Sequence, residues 1–355
     1  MPIHIFNGFQ SPFGGSELEA LALFKLLDSN QDVRLWATSS RASPELLRAF
    51  PISQVAPFSL DGGNYVFVGA HWRKGLWRYL TKRPDRLIYV YNTFHPKHTA
   101  IASSAPWGWP KTEFVFISEF EKRLLGLDGV VHPSPIDINL FAPRPVIGRR
   151  EVIVGRLSRD TPDKYNRHDF PIFLDLAQRN VRIRLQGASC LTDDLRHSKV
   201  EILPEGAEPA EKFLQGLDIF YYRTGTHVET FGRVVFEAMA CGLPVVCHRH
   251  GGYADWIVSG ENGFLFSTDD EARKILDQLI ANPSLRRSVG ANARQTIEDM
   301  FAGDRMEERL QFYVCSKQPI ASRQSTAWRG SRESEILQPA PLLASDNPVV
   351  STGEQ

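Results

Sequence analysis

The feature that most constrains this chain is an alternation of short apolar, β-branched runs with amphipathic helical stretches, carried through twice. "IHIF" is followed by "SELEALALFKLLDS", then "DVRLWAT", "SPELLRAF", "YVFVGA", "GLWRYLTK", "RLIYVYN", "EFVFIS" and "EFEKRLLGL". Buried strands separated by helices imply βαβ units and a parallel sheet. A proline-rich stretch without helical period, "PSPIDINLFAPRPVIGRR", interrupts the pattern. It then restarts with "EVIVGRL", "HDFPIFLDLAQR", "VRIRLQG", "VEILP", "PAEKFLQGL", "DIFYYR", "RVVFEAMACG", "PVVCHR", "GYADWIVS" (read as a helix) and "GFLF", and closes on three helical segments. The expectation is an α/β chain of two Rossmann-like, doubly wound domains at 1–143 and 151–303, joined by a linker at 144–150. A last helix at 304–317 and a Ser/Pro/Arg/Glu-rich disordered tail at 318–355 follow. The crevice between two such halves is the natural ligand site.

Composition narrows the classes. With 41 basic and 41 acidic residues the net charge is zero, which gives no footprint for nucleic acid. Cys190, Cys241, Cys247 and Cys315 are scattered without a CxxC pair, so neither a zinc site nor a disulfide framework is indicated, and a reducing compartment fits. The N-terminus lacks a signal-peptide pattern and no apolar run is long enough to span a bilayer. The expected location is cytoplasmic, with peripheral contact at the inner membrane surface. That contact is suggested by "HWRKGLWRYLTKRPDR", where Arg and Lys alternate with Trp72, Trp77 and Tyr79, although a solvated helix is the plainer reading. Trp107 and Trp109 lie on a loop suited either to stacking on sugar or to packing.

The segment "ETFGRVVFEAMACGLPVV" carries two carboxylates, Glu229 and Glu237, in apolar surroundings. Thr230 is placed to cap a helix starting near Gly232, and Cys241-Gly242 with Pro244 ends it. Helical side chains lean toward the N-terminus, so Glu237 presents its carboxylate near the end where Glu229 stands. Gly232 removes bulk beside free N–H groups that suit a phosphate. Two carboxylates beside a phosphate-binding helix end match a nucleotide-sugar, with hydroxyls on both sides of a diphosphate. The bland reading, with Glu229 complementing the helix dipole and Glu237 facing solvent, stands level with it on physics alone.

Together with the following "GGYADWIVSGENGFLF", this segment resembles the donor-binding region of the family-4 retaining glycosyltransferases, which have the GT-B fold. The resemblance covers most of residues 1–317 and is strongest after 150; Asp255 departs from it, where the family more often has glutamate. It implies that Glu229 contacts sugar hydroxyls, that Glu237 holds the ribose, and that Phe231 and Gly232 belong to the donor site. In "VGRLSRDTPDKYN" it implies that Arg156 and Lys164 grip the donor diphosphate, with Arg159 as the alternative second cation because the spacing is lengthened. In "FNGFQSPFGGSELEALALF" it implies that Gly14-Gly15 face the donor phosphate. His95, after the strand "YVYN", falls where the family often has an active-centre histidine, with His98 as fallback. No DxD triplet is present, so no metal ligands are expected and the diphosphate meets cations and helix ends instead. The expected partners are a nucleoside diphosphate sugar, as co-substrate and without a further cofactor, and a glycan, lipid-linked or small-molecule acceptor. An epimerase of the same fold and a non-catalytic sugar-nucleotide or glycan-binding protein are the rivals.

Overall fold

A computed structural model describes residues 1–28, 31–69, 76–93, 106–144, 151–195 and 198–315. His95, His98, Trp72, most of the 144–150 linker and the 318–355 tail lie outside the described residues.

Two parallel sheets carry the chain. The first uses β1 (Ile3–Asn7), β2 (Val33–Ala37), β3 (Ile52–Gln54), β4 (Asn64–Val68), β5 (Arg86–Tyr91), β6 (Thr112–Phe116) and β7 (Val130–Val131), ordered β3-β2-β1-β4-β5-β6-β7. The second uses β8 (Val152–Leu157), β9 (Val181–Gln186), β10 (Val200–Leu203), β11 (Ile219–Tyr222), β12 (Val245–His248) and β13 (Phe264–Phe266), ordered β10-β9-β8-β11-β12-β13. Central strands are covered on both faces, which is why β1, β4 and β5 are buried along their whole length and read as continuous apolar runs. His4 is admitted to β1 because its ring accepts from Trp36 Nε1 at 2.9 Å and meets Asp61 at 3.1 Å.

In each sheet the strand order reverses beside the first strand. The loops after β1, β8 and β11 therefore open at topological switch points, where the ends of neighbouring strands part and a crevice forms. These loops hold Gly14-Gly15, Lys164 and Glu229.

Two segments read as helices are shorter. "GLWRYLTK" contributes a single 3₁₀ turn, Leu76–Tyr79: Trp77 stacks on Phe6 at 5.4 Å, and Pro84 disfavours helix in the residue before it. "GYADWIVS" is a 3₁₀ turn over Gly252–Trp256, held by the Gly252 amide on Glu229 O at 2.9 Å. The proline-rich stretch is a fixed strap where described. Ile136 and Phe141 are buried, and Arg294 donates to Ile138 O, Phe141 O and Ala240 O at 2.9, 2.9 and 2.8 Å.

The helix Gly303–Val314 returns to the first sheet. Asn64 donates to Tyr313 O and Cys315 O, and Arg86 donates to Phe312 O and Cys315 O while forking onto Glu113 at 2.8 and 2.7 Å. Breaking a buried pair strands its partners, so Arg86→Ala is expected to cost about 3 kcal/mol. The measurement is the Tm by calorimetry. A Tm equal to that of the unaltered chain would show that the returning helix is held by its apolar face alone.

Candidate active site

Lys164 closes a 3₁₀ turn, Pro162–Lys164, after β8, and Glu229 lies in the loop after β11. The two meet at 2.8 Å, both nearly buried, with Tyr222 donating its hydroxyl to the same Glu229 oxygen, Oε2, at 2.7 Å. His227 Nε2 stands 3.9 Å from that oxygen, and its Nδ1 is 3.4 Å from Asp163. Burial alone would raise the Glu229 pKa. The Lys164 ammonium, His227 and the Tyr222 hydroxyl overcome it and hold the carboxyl down at about 2. Among the described residues Oε1 takes no hydrogen bond, so one edge of the carboxylate is fixed and the other is not.

Arg156, to which the resemblance gives a grip on the diphosphate, is fully buried, with its guanidinium 4.5 Å from the Tyr165 ring and 4.8 Å from the Tyr222 ring, and it donates to Arg223 O and Lys164 O. The end of β8 points it inward, between two aromatic walls, where weakly hydrated guanidinium is tolerated. It positions the backbone of Lys164. Arg159, by contrast, is exposed beside the pocket and makes no ion pair among the described residues.

The helix after Glu229 runs Arg233–Ala240. Thr230 is not its cap; its hydroxyl donates to Asn92 O across the crevice at 3.2 Å, and Gly232 caps instead, in the left-handed region at φ 87°. A Cβ there would lie 2.4 Å from the Tyr253 ring, so glycine is required twice over. The Phe231 side chain is buried and stacks on Phe236 at 4.2 Å. Glu237 is buried, which raises its pKa, and Arg233 opposes that through an i,i+4 bond to Oε1 at 2.9 Å. Arg233 also reaches Ser134 Oγ at 2.9 Å, so Glu237 is tied to the strap.

On the opposite side, Gly14 precedes and Gly15 begins the helix Gly15–Asp28. A Cβ on Gly15 would meet nothing within 4 Å, whereas one on Gly14 would lie 2.1 Å from Glu17 Oε2. Glu17 already accepts from the Gln10 and Ser11 amides at 3.1 and 3.4 Å, and Phe9 is strained at φ 48°. An incoming anion would share this loop with that carboxylate. Tyr222 and His227 escaped the sequence reading. Tyr222 reads only as strand, and a lone histidine carries no periodic signal.

Residues 196–296 match the glycosyl transferases group 1 family. The chain is similar to the capsular polysaccharide biosynthesis glycosyltransferase CapM of Staphylococcus aureus, 35% identical over 28% of this chain and 26% of that protein. The sulfoquinovosyl transferase SQD2 of Arabidopsis thaliana is 28% identical over 46% of this chain and 35% of its own length. The chain thus spans about a quarter to a third of these curated relatives. HepE of Anabaena, solved in complex with UDP-glucose, superposes with a TM-score of 0.66 at 18% identity, over 87% of this chain and 98% of that one. The fold is GT-B: two Rossmann-like α/β domains.

The Glu229 carboxyl gives a pH signature. Its folded pKa lies below the ordinary 4.5, so the pair's contribution to stability is present above about pH 4.5 and is lost as pH falls toward about 2. Glu229→Gln is expected to lose about 3 kcal/mol at neutral pH, and the gap to the unaltered chain should narrow on acidification through that window. Urea unfolding at several pH values checks it; a gap independent of pH would show that the pair is not ionised.

Proposed function

We propose that this chain is a retaining, metal-independent glycosyltransferase of the family-4 type, moving a sugar from a nucleoside diphosphate sugar to an acceptor hydroxyl. The observation that carries the reading is the ionised Lys164–Glu229 pair at the switch point of the second sheet, with one carboxylate edge free of hydrogen bonds among the described residues. The family match around Glu229 and Glu237 supports it, and HepE's bound UDP-glucose has the donor chemistry that such a site suits. Lys164 attracts the diphosphate, with Arg159 beside it at the mouth. Glu229 Oε1 accepts from sugar hydroxyls and Glu237 from the ribose. The Gly14-Gly15 loop approaches the phosphates from the first domain, and His95 positions the sugar.

In the transfer, the bond from the anomeric carbon to the diphosphate oxygen breaks and a bond to the acceptor oxygen forms on the same face. The acceptor's proton passes to the departing phosphate oxygen, and Lys164 stabilises the charge that grows there. Glu229 does not serve as a general acid, because a carboxyl with a pKa of about 2 carries no proton at neutral pH. An epimerase would release nucleotide or epimer without an acceptor; a binding protein would release neither. An α-configured donor is expected to give an α-linked product, read from the anomeric coupling constant by NMR, at a rate unchanged by a chelator. A β-linked product overturns retention, and strict dependence on a divalent ion overturns the cation assignment.

The acceptor class we propose is a glycan, lipid-linked or small-molecule hydroxyl compound, met in the cytoplasm and, for a lipid-borne one, at the inner membrane surface. No described helix is long and apolar enough to cross a membrane. Trp77 is buried, so it is not part of any membrane face. Phe58, strained at φ 63° and 81% exposed, and Trp107, 89% exposed, flank Tyr79, Leu80, Lys82 and Arg83. Phe58 N donates to Leu80 O at 2.9 Å and Arg83 lies 5.8 Å from the Trp107 ring, so these groups form one face. Aromatic rings between cations suit an anionic interface, each basic residue adding about 1 kcal/mol. Sedimentation with phosphatidylglycerol vesicles is expected and should be lost in Phe58→Ser/Trp107→Ser; sedimentation unaffected by that change would place the contact elsewhere.

A further inference from the structure

We propose that His227 is a donor-binding residue that gains a proton when the donor diphosphate arrives, adding a cation beside Lys164. The proposal rests on the glycosyltransferase reading of this site.

His227 is fixed before any ligand binds. Its amide donates to Asp163 O at 3.1 Å, as does the Gly225 amide at 3.1 Å, which folds the 225–227 loop onto the turn that carries Lys164. A Cβ on Gly225 would lie 2.3 Å from Tyr165 O, so the loop is pressed against that turn. The imidazole thereby stands between two carboxylates, 3.4 Å from Asp163 and 3.9 Å from Glu229, with its side chain 20% exposed. The imidazole is thus partly within reach of solvent.

The charged groups facing it come from three segments. Lys164 and Asp163 lie on the 3₁₀ turn, Arg159 on the loop after β8, and Glu229 on its own loop. Burial comes first in lowering the His227 pKa, and Lys164 and Arg159 add to it; Glu229 and Asp163 act the other way without prevailing. The free site therefore holds a neutral imidazole at neutral pH. A diphosphate drawn to Lys164 reverses this balance. Its negative charge offsets the two cations that repel imidazolium and attracts the proton directly. The proton comes from solvent, the ring becomes a two-sided donor, and the site's positive charge rises only when the leaving group is in place. Lys164 alone would leave that group's growing charge facing Glu229 at close range.

The test is calorimetric titration near neutral pH in phosphate and in Tris, whose ionisation enthalpies differ widely. UDP-glucose, GDP-mannose and ADP-glucose serve as probes, because their diphosphates are diesters with no group titrating near neutrality. The expected result is proton uptake with the probe that binds, falling away on the acid side once His227 is already charged in the free chain. His227→Gln should still bind that probe, several-fold more weakly, and take up no proton; His227→Asn serves if the first variant fails to fold. Uptake that persists in the variant, or binding without uptake in the unaltered chain, overturns the proposal and leaves the glycosyltransferase reading standing. Failure of all three probes to bind overturns that reading, and this inference with it.

Discussion

The candidate site depends on one buried guanidinium. Arg156 lies between the Tyr165 and Tyr222 rings and donates to the carbonyls of Lys164 and Arg223. Two of these contacts fall on the loop after β8 and two at the end of β11, so both segments are clamped to the same group. Tyr222 uses its ring on Arg156 and its hydroxyl on Glu229. The Lys164–Glu229 pair thus inherits its geometry from a buried residue behind it. A charge so deep is held by its carbonyls, its aromatic walls and Asp169 at 3.9 Å, since an uncompensated ion there would be prohibitive.

A second polar seam joins the first helix to the returning helix Gly303–Val314. Arg309, on the returning helix, donates to Pro133 O and lies 3.5 Å from Glu19, and Glu121 is buried close to Glu19. Burial raises the Glu121 pKa to about 8, with Glu19 adding to it, and burial lowers His132 to about 3. Both are neutral at pH 7, which is how this seam accommodates several titratable groups around one arginine. Ser118, capping the Glu121 helix, also donates to Thr230 O, one residue from Glu229. The crevice is thus bridged by hydrogen bonds at the same segment that carries the site's carboxylate. Domain movement would have to exchange those bonds, and water entering the crevice could replace them at little net cost.

Much of the fold was legible because strand burial leaves a one-dimensional trace. A central parallel strand is largely apolar and admits a polar residue such as His4 only with partners, and a helix beside it must be apolar on one face; "IHIF" and "SELEALALF" carry both marks. Short 3₁₀ turns do not. "GYADWIVS" has the composition of a helix but is held as a turn by Gly252 on the Glu229 carbonyl, a contact with no periodicity. In the site, Glu229 and Gly232 were visible because charge or glycine in apolar surroundings is conspicuous, whereas Lys164, in the charged loop "SRDTPDKYN", stood out only through the family resemblance. Arg156 was visible too, but its direction was not. Whether a strand-end arginine points to the crevice or into the sheet depends on aromatic partners eight and more positions away in sequence, Tyr165 and Tyr222. The burial of the Phe231 ring was not visible either, because it depends on Phe236, five residues on.

The asymmetry of Glu229 has a further consequence. Its Oε2 is held by an ammonium and a phenol, and its Oε1 takes no hydrogen bond among the described residues. A carboxylate fixed on one edge loses little freedom when a sugar hydroxyl binds the other, so its contribution is made in advance of the ligand. The same fixation limits what it can do. It cannot swing to become a nucleophile without abandoning Lys164, and it cannot hold a proton while that ammonium remains. On the proposed function, Lys164 would be coupled to both halves of a donor at once: to the diphosphate by its charge, and to the sugar through the carboxylate it orients. An anion that drew the ammonium away from Glu229 would loosen the sugar contact in the same movement. The pair would then favour release of a nucleoside diphosphate once the bond from sugar to phosphate had broken, because the free carboxylate would compete with the product for the one cation they share.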